Sequence, residues 1–187
     1  MVACALGLPD LAARLLGAGA DVHAVDAQGR TAMHCAAMFG FNARERTRLV
    51  ALFDTLLLAN GEADINADAG GATPLLLLLG ARAEPGSAAD EAVLVAALEQ
   101  LTDHDARLDV QDPRGFGPLH LAALHGLLRV VQWLLRAGAD PDLRDGLNRS
   151  PREIAVMRGF VDIAAEFAPP GPPGGDVSMA RFLRDRG

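Results

Sequence analysis

His34, His120 and His125 among five histidines, two cysteines, a few serines and some glycine-rich turns are the residues of this 187-residue chain that could do chemistry. His120 and His125 stand five apart, which does not set two ligands on one helical face, and neither has a cysteine or carboxylate beside it at zinc spacing. The glycine-rich stretch Asp68-Ala69-Gly70-Gly71 has neither the lysine of a P-loop nor the spacing of a dinucleotide fingerprint and reads as a turn. Ser87, Ser150 and Ser178 have capping, pattern or tail explanations and lack a base to activate them. No catalytic residue, cofactor, metal or small-molecule substrate is expected from these residues, and the chain reads as a non-enzyme.

What positions these residues is a repeated unit, clearest in Asp112 to Arg144, DPRGFGPLHLAALHGLLRVVQWLLRAGADPDLR. Pro118 opens a first helix, where a ring with φ already helical and no N–H is tolerated. Ala122 and Ala123 are small enough for a helix to lie between neighbours. Gly126 can take φ > 0 and lets the chain reverse. From Leu128 to Leu135 apolar residues recur at three and four, which predicts a second helix with Val131, Leu134 and Leu135 facing inward. Gly138 ends it.

Self-comparison finds five copies of this unit, at about 1–25, 26–67, 68–111, 112–144 and 145–167. The second keeps Gly29, Thr31, Ala32, Met33, His34, Ala36, Ala37 and Gly40. The third keeps Gly71, Thr73, Pro74 and Leu75. The fifth keeps Ser150, Pro151, Ala155 and Gly159, with Arg152 where a buried leucine is expected. The first begins partway through a first helix, and its loop Gly19-Ala20-Asp21-Val22 matches Ala63-Asp64-Ile65-Asn66 and Gly138-Ala139-Asp140.

The run Gly117-Pro118-Leu119-His120-Leu121-Ala122-Ala123 resembles the T-P-L-H-x-A signature of ankyrin repeats, with Gly117 in place of Thr. The resemblance covers about residues 1 to 167. It implies an all-α solenoid of about five helix–turn–helix repeats joined by β-hairpin loops, the first and last incomplete, in one elongated domain with nearest-neighbour contacts. It also implies that His34 and His120 tie the hairpin loops together by hydrogen bonds. A protein partner would bind the concave wall through the variable positions. Those are Gln28, Arg30, Met38 and Phe39 in the second repeat and Ala69 and Ala72 in the third. Arg114, Phe116, Leu124 and His125 follow in the fourth, and Leu147 and Arg149 in the fifth. Phe39, Phe116 and His125 are the expected anchors.

Bulk properties agree with an interaction module. A hydrophobic content of 50% suffices for a continuous core, and no apolar run reaches the roughly 18 residues of a membrane span. The net charge of −7 disfavours nucleic acid as a partner. Cys4 and Cys35 fall on first helices of adjacent repeats, where small apolar residues belong, and are expected to be buried free thiols of a reducing cytoplasm. Every basic residue other than histidine is arginine, which suggests a GC-rich, bacterial genome. Trp133 is expected to be half-buried packing.

Departures from the unit carry further expectations. After Gly40 and after Arg82 the chain holds about eight and about eleven residues more than the 33-residue pattern needs. Capping-box spacing of Asn42 with Glu45 and of Ser87 with Asp90 predicts second helices of about four turns. Arg44, Arg46 and Arg48 on one insertion are expected to pair with Glu84, Asp90 and Glu91 on the other. Leu76 to Leu79 replace His-x-Ala-Ala and should widen the gap that the longer second helix then covers. Residues 168–187 read as a Pro/Gly linker and a tail, 176–186, that is either disordered or a short helix docked on this molecule or a neighbour. The truncated first repeat also admits a reading in which this stack is a regulatory or targeting segment of a larger enzyme or membrane protein, and a further reading makes it a purely structural spacer. A first helix reduced to about Val2 to Leu6 has too few turns to stand alone. Hydrogen exchange should therefore find the least protection in residues 1–8 and the proline-rich tail, and the most between Leu94 and Leu135.

Overall fold

In the computed structural model of the chain, residues 1–87 and 89–168 are described, and the tail expectation lies outside them. The described residues form ten α-helices in five consecutive pairs: α1 Val2–Ala5 with α2 Pro9–Gly17, α3 Ala32–Asn42 with α4 Arg46–Leu58, α5 Pro74–Leu78 with α6 Glu91–Asp103, α7 Pro118–His125 with α8 Leu128–Arg136, and α9 Pro151–Arg158 with α10 Val161–Glu166. First helices pack on first helices, with α1 on α3, α3 on α5 and α7 on α9. Second helices do the same, with α2 on α4, α4 on α6 and α6 on α8. This is the all-α solenoid. No helix among the described residues is long and apolar enough to cross a membrane.

The local reasons are legible in each pair. Pro9, Pro74, Pro118 and Pro151 occupy the first turns of their helices, where the missing N–H costs nothing. Gly126 reverses the chain at φ 78°. The ring of Phe160 lies so close to it that an added Cβ would come within 2.8 Å. Gly7 is covered in the same way by Phe39, so an aromatic of the next pair seals the bend of the one before. The small residues Ala36, Ala37, Ala122, Ala123 and Ala155 are fully buried between neighbouring first helices. Val130, Val131 and Leu134 form the buried stripe of α8, while Leu135 and Trp133 are half-buried.

Three expectations are corrected. The loops between pairs close by backbone bonds such as the Asp112 amide to the Phe116 carbonyl (2.9 Å) and the Asp145 amide to the Arg149 carbonyl (3.0 Å). They are tight turns, and no strand is formed among the described residues. The second helices α4 and α6 have 13 residues against nine in α8, but their caps differ from those expected. Asn42 is the last residue of α3, Glu45 precedes α4 without a side-chain cap, and Asp90 rather than Ser87 caps α6 by accepting from the Ala92 and Val93 amides. The expected charge pairing between the insertions fails at Arg48 and at Glu91. Arg48 donates to the backbone carbonyls of Gly7 and Leu6, and Glu91 accepts from the Arg129 and Val130 amides, capping α8 from the preceding pair.

Leu75 through Leu79 are all buried, which accounts for a leucine run in a short helix held between two neighbours. At the first pair burial is poorer. Val2 is 75% and Leu6 58% exposed, whereas Leu134 is 0% exposed. Leu134→Ala should cost about 2–5 kcal/mol in urea unfolding, and Leu6→Ala a small fraction of that. Equal costs would show that the first pair is as well packed as the fourth.

Candidate functional site

The face to examine is made by the loop tips and the ends of the first helices. Its geometry starts from an aspartate at the base of each tip. Asp26 accepts from the Gln28 and Arg30 amides, Asp112 from those of Arg114 and Phe116, and Asp145 from those of Leu147 and Arg149. Each then holds an arginine of its own tip: Arg30 at 2.6 Å, Arg114 at 2.6 Å and Arg149 at 2.7 Å. The Arg30 side-chain hydrogen bond is the largest influence on Asp26 and brings its pKa down to about 2. At Asp145 burial pushes upward, but bonds from Arg149 and Leu147 outweigh it and leave the carboxyl below its usual range.

Phe116 lies under two of these arginines. Arg114 sits 4.6 Å and Arg149 5.8 Å from its ring centroid, and its lower side stacks on His120, with centroids 5.7 Å apart and rings 3° from parallel. Cation–π contacts of this kind contribute on the order of 0.5–1 kcal/mol each when exposed, so they orient the guanidiniums more than they stabilise the fold. Of the twelve expected positions, Gln28, Arg114 and Leu147 are exposed, and Arg30, Met38, Phe39, Leu124 and Arg149 are half-buried. Ala69, Ala72, Phe116 and His125 are buried. Anchoring a partner needs reachable surface, and Phe116 and His125 have given theirs to the fold. Phe39 is committed in part as well, because it covers Gly7 and receives Arg48 at 5.6 Å.

His34 and His120 tie neighbouring loops together, as the resemblance implied. The Thr31 amide donates to Nδ1 of His34 at 3.1 Å, which leaves the proton on Nε2 to donate to the Ala67 carbonyl at 3.0 Å. The Gly117 amide and the Arg149 carbonyl play the same parts for His120, at 3.2 and 3.0 Å. His125 donates from Nε2 to the Gly80 carbonyl at 3.1 Å, and its Nδ1 has no partner among the described residues. Burial is the largest cause holding all three imidazoles below their ordinary pKa. Cys4 and Cys35 are free and buried, and burial pushes both thiols up, away from the reactive thiolate. No group of His, Cys, Asp or Glu able to hold a metal occurs among the described residues.

The expected positions omitted two arginines of this face. Arg158 stands 33 residues after His125, at the equivalent place on the next first helix, and Arg82 follows α5 where the third unit loses its regular length. The repeat offset alone pointed to the first. Nothing in the pattern pointed to the second.

The histidine geometry sets a pH dependence. Each imidazole is neutral in the fold with its pKa below 6.5, so the unfolded chain takes up protons first as pH falls. The stability contribution is full above about 6.5 and is lost as pH falls toward the folded values. Asp26, Asp145 and Glu153 are shifted down, so their contributions fade only below the ordinary carboxylate range. The urea midpoint should therefore drop between pH 7 and 5, and less steeply in His120→Gln. An unchanged midpoint over that window would contradict the buried neutral imidazoles.

Sequence comparison agrees with this architecture. Two family models described as "Ankyrin repeats (many copies)" match residues 1–57 and 101–155. The chain is similar to the B-cell lymphoma 3 protein homolog of Mus musculus, 30% identical over 178 residues, covering 83% of this chain and 39% of that protein. It also resembles the ankyrin repeat family A protein 2 of Mus musculus, 43% identical over 51 residues, 27% of this chain and 16% of that protein. A third relative is the mouse protein phosphatase 1 regulatory subunit 27, 42% identical over 57 residues, 30% of this chain and 37% of that protein. The chain thus spans well under half the length of these relatives, all of them eukaryotic, in contrast to the bacterial source that composition suggested. The signature residues, the stacked helix pairs and these matches together establish that the chain belongs to the ankyrin repeat family.

Proposed function

We propose that this protein is a non-enzymatic recognition module that binds a partner protein through the face of loop tips and first-helix ends, the concave wall of the family resemblance. The observation that supports it is the ordering of that face. Arg30, Arg114 and Arg149 are each clamped by an aspartate of their own tip, so binding would freeze little side-chain freedom. Beside them Leu147 is 73% exposed, and Leu124 and Met38 are half-buried. An interface of ordinary size, about 800 Å² per partner, fits a wall spanning several such tips. One relative is named as a regulatory subunit of a protein phosphatase, a protein-directed role by its name. Buried free cysteines favour a reducing, cytoplasmic setting.

A second reading treats the stack, residues 1–167 with 168–187 as linker and tail, as the regulatory or targeting part of a larger enzyme or membrane protein. The modest share of its relatives that the chain spans supports it. An in-frame stop immediately upstream of Met1 in the gene would remove it.

The first reading is tested by affinity capture followed by mass spectrometry. Leu124→Glu with Leu147→Glu should lose the proteins held by the unaltered chain, while Leu58→Glu, on a residue 89% exposed at the end of α4, should retain them. Retention of every partner by the folded double variant would end the proposal.

A further inference from the structure

The segment Gly80 to Gly86, where the chain leaves α5, is flanked by arginines drawn from three successive helix pairs and by the neutral imidazole of His125. Arg82 donates from Nη2 to the Ala69 carbonyl at 2.8 Å. Arg114 donates to the Ala81 carbonyl at 2.9 Å, and His125 to the Gly80 carbonyl at 3.1 Å. Arg158 comes from α9, two pairs away, and lies against Gly86, where an added Cβ would stand 2.8 Å from its Nη2. Arg149 adds a further guanidinium on the same side, over Phe116.

The charges here do not cancel. Asp112 and Asp145 offset Arg114 and Arg149, and Glu84 is the one carboxylate of the segment itself. Arg82 and Arg158 are exposed and belong to no ion pair among the described residues. A chain of net charge −7 therefore carries a local basic cluster on its proposed binding face. Such concentrations of one sign steer an oppositely charged partner toward its site. Guanidiniums hold carboxylates through paired N–H donors, and those of Arg82 and Arg114 are already fixed by carbonyl bonds. Against nucleic acid stand the overall negative charge and the burial of Phe41 and Phe116, the phenylalanine rings beside this segment, which keeps both from serving as a platform for a base to stack on.

From this arrangement we infer that the cluster around Gly80 to Gly86 receives a run of carboxylates, and that the partner presents an acidic, extended segment to the third to fifth helix pairs. The inference rests on the reading of this face as the partner surface and specifies the chemistry of what it takes.

Fluorescence anisotropy of the full chain tests it with three labelled probes: a peptide alternating glutamate and glycine, the same peptide with glutamine, and an oligothymidine. The glutamate peptide should bind, with affinity falling as salt rises, and the glutamine peptide should not. R82Q/R158Q should weaken binding at least about tenfold, while R136Q, on the outer helix α8, should leave it unchanged. Because Arg82 supports the Ala69 turn, R158Q alone is measured beside the double variant, and thermal melting confirms the fold of each. No preference for glutamate, undiminished binding by the folded arginine variants, or tighter binding of the oligothymidine would overturn the inference. If the variants at Leu124 and Leu147 lose their captured partner while the glutamate peptide fails to bind, the face stands and only its acidic ligand is wrong.

Discussion

A helix pair of this kind has an apolar flank on each side and no means of covering either, so every pair depends on the next for its core. That constraint explains why alanine recurs where first helices touch. Ala36, Ala37, Ala122, Ala123 and Ala155 are all fully buried, and a larger residue at any of them would push the neighbouring pair away. It also explains the asymmetry of the ends. Val2 and Leu6 face solvent at one, whereas at the other Arg152 and Glu153 replace the buried Leu119 and His120 of the preceding unit. Charged residues at those two places make the first helix of the fifth pair more polar than that of the fourth.

Burial alone leaves neighbouring pairs free to slide, and one helix position fixes their register. Three residues beyond each first-helix cap stand His34, Leu76, His120 and Glu153. The imidazoles do two things at once, accepting the cap amide and donating to the carbonyl of the next tip. Glu153 keeps only the first, in a reciprocal cap with Ser150. Leu76 does neither, so the third pair lacks a tie to the fourth from this position. The tie is made in reverse, by Arg114 to Ala81 and His125 to Gly80 from the fourth pair back to the third. Gln111 adds a bond to the Arg144 carbonyl.

The fold was legible in the sequence because its determinants are local and repeated. Proline at a helix start, glycine at a bend and small residues between helices each act within a few residues of themselves, and five offsets of the same pattern reinforce one another. The site was less legible because variable positions were assigned by their place in the unit, and place does not decide burial. Phe116 occupies a tip yet turns inward, since Arg114, Arg149 and His120 offer it a stack. The insertions misled for a related reason. Asn42 and Ser87 have capping chemistry, but the long first helix α3 uses Asn42 as its end, and Asp90 stands nearer the start of α6. Likewise Glu91, expected to pair with an arginine of the neighbouring insertion, instead caps α8 of the next pair, a contact no single-unit pattern contains.

The third pair shows most clearly what a strict nearest-neighbour view omits. Its first helix, α5, has five residues against 11 in α3 and eight in α7. Past its end Phe41 of the second pair meets His125 of the fourth, with ring centroids 4.9 Å apart. Both rings rest over Gly80, where an added Cβ would come within 2.6 Å of one and 2.7 Å of the other. Arg158 then reaches from the fifth pair to Gly86 of the third. In a simple stack the loss of one interface is felt only by the two units that share it. Here the second and fourth pairs share a contact over the third, so a change at the end of α5 is felt by both. Glycine at position 80 is what permits this, because its φ of 82° closes the short helix and its missing side chain leaves room for two rings to meet.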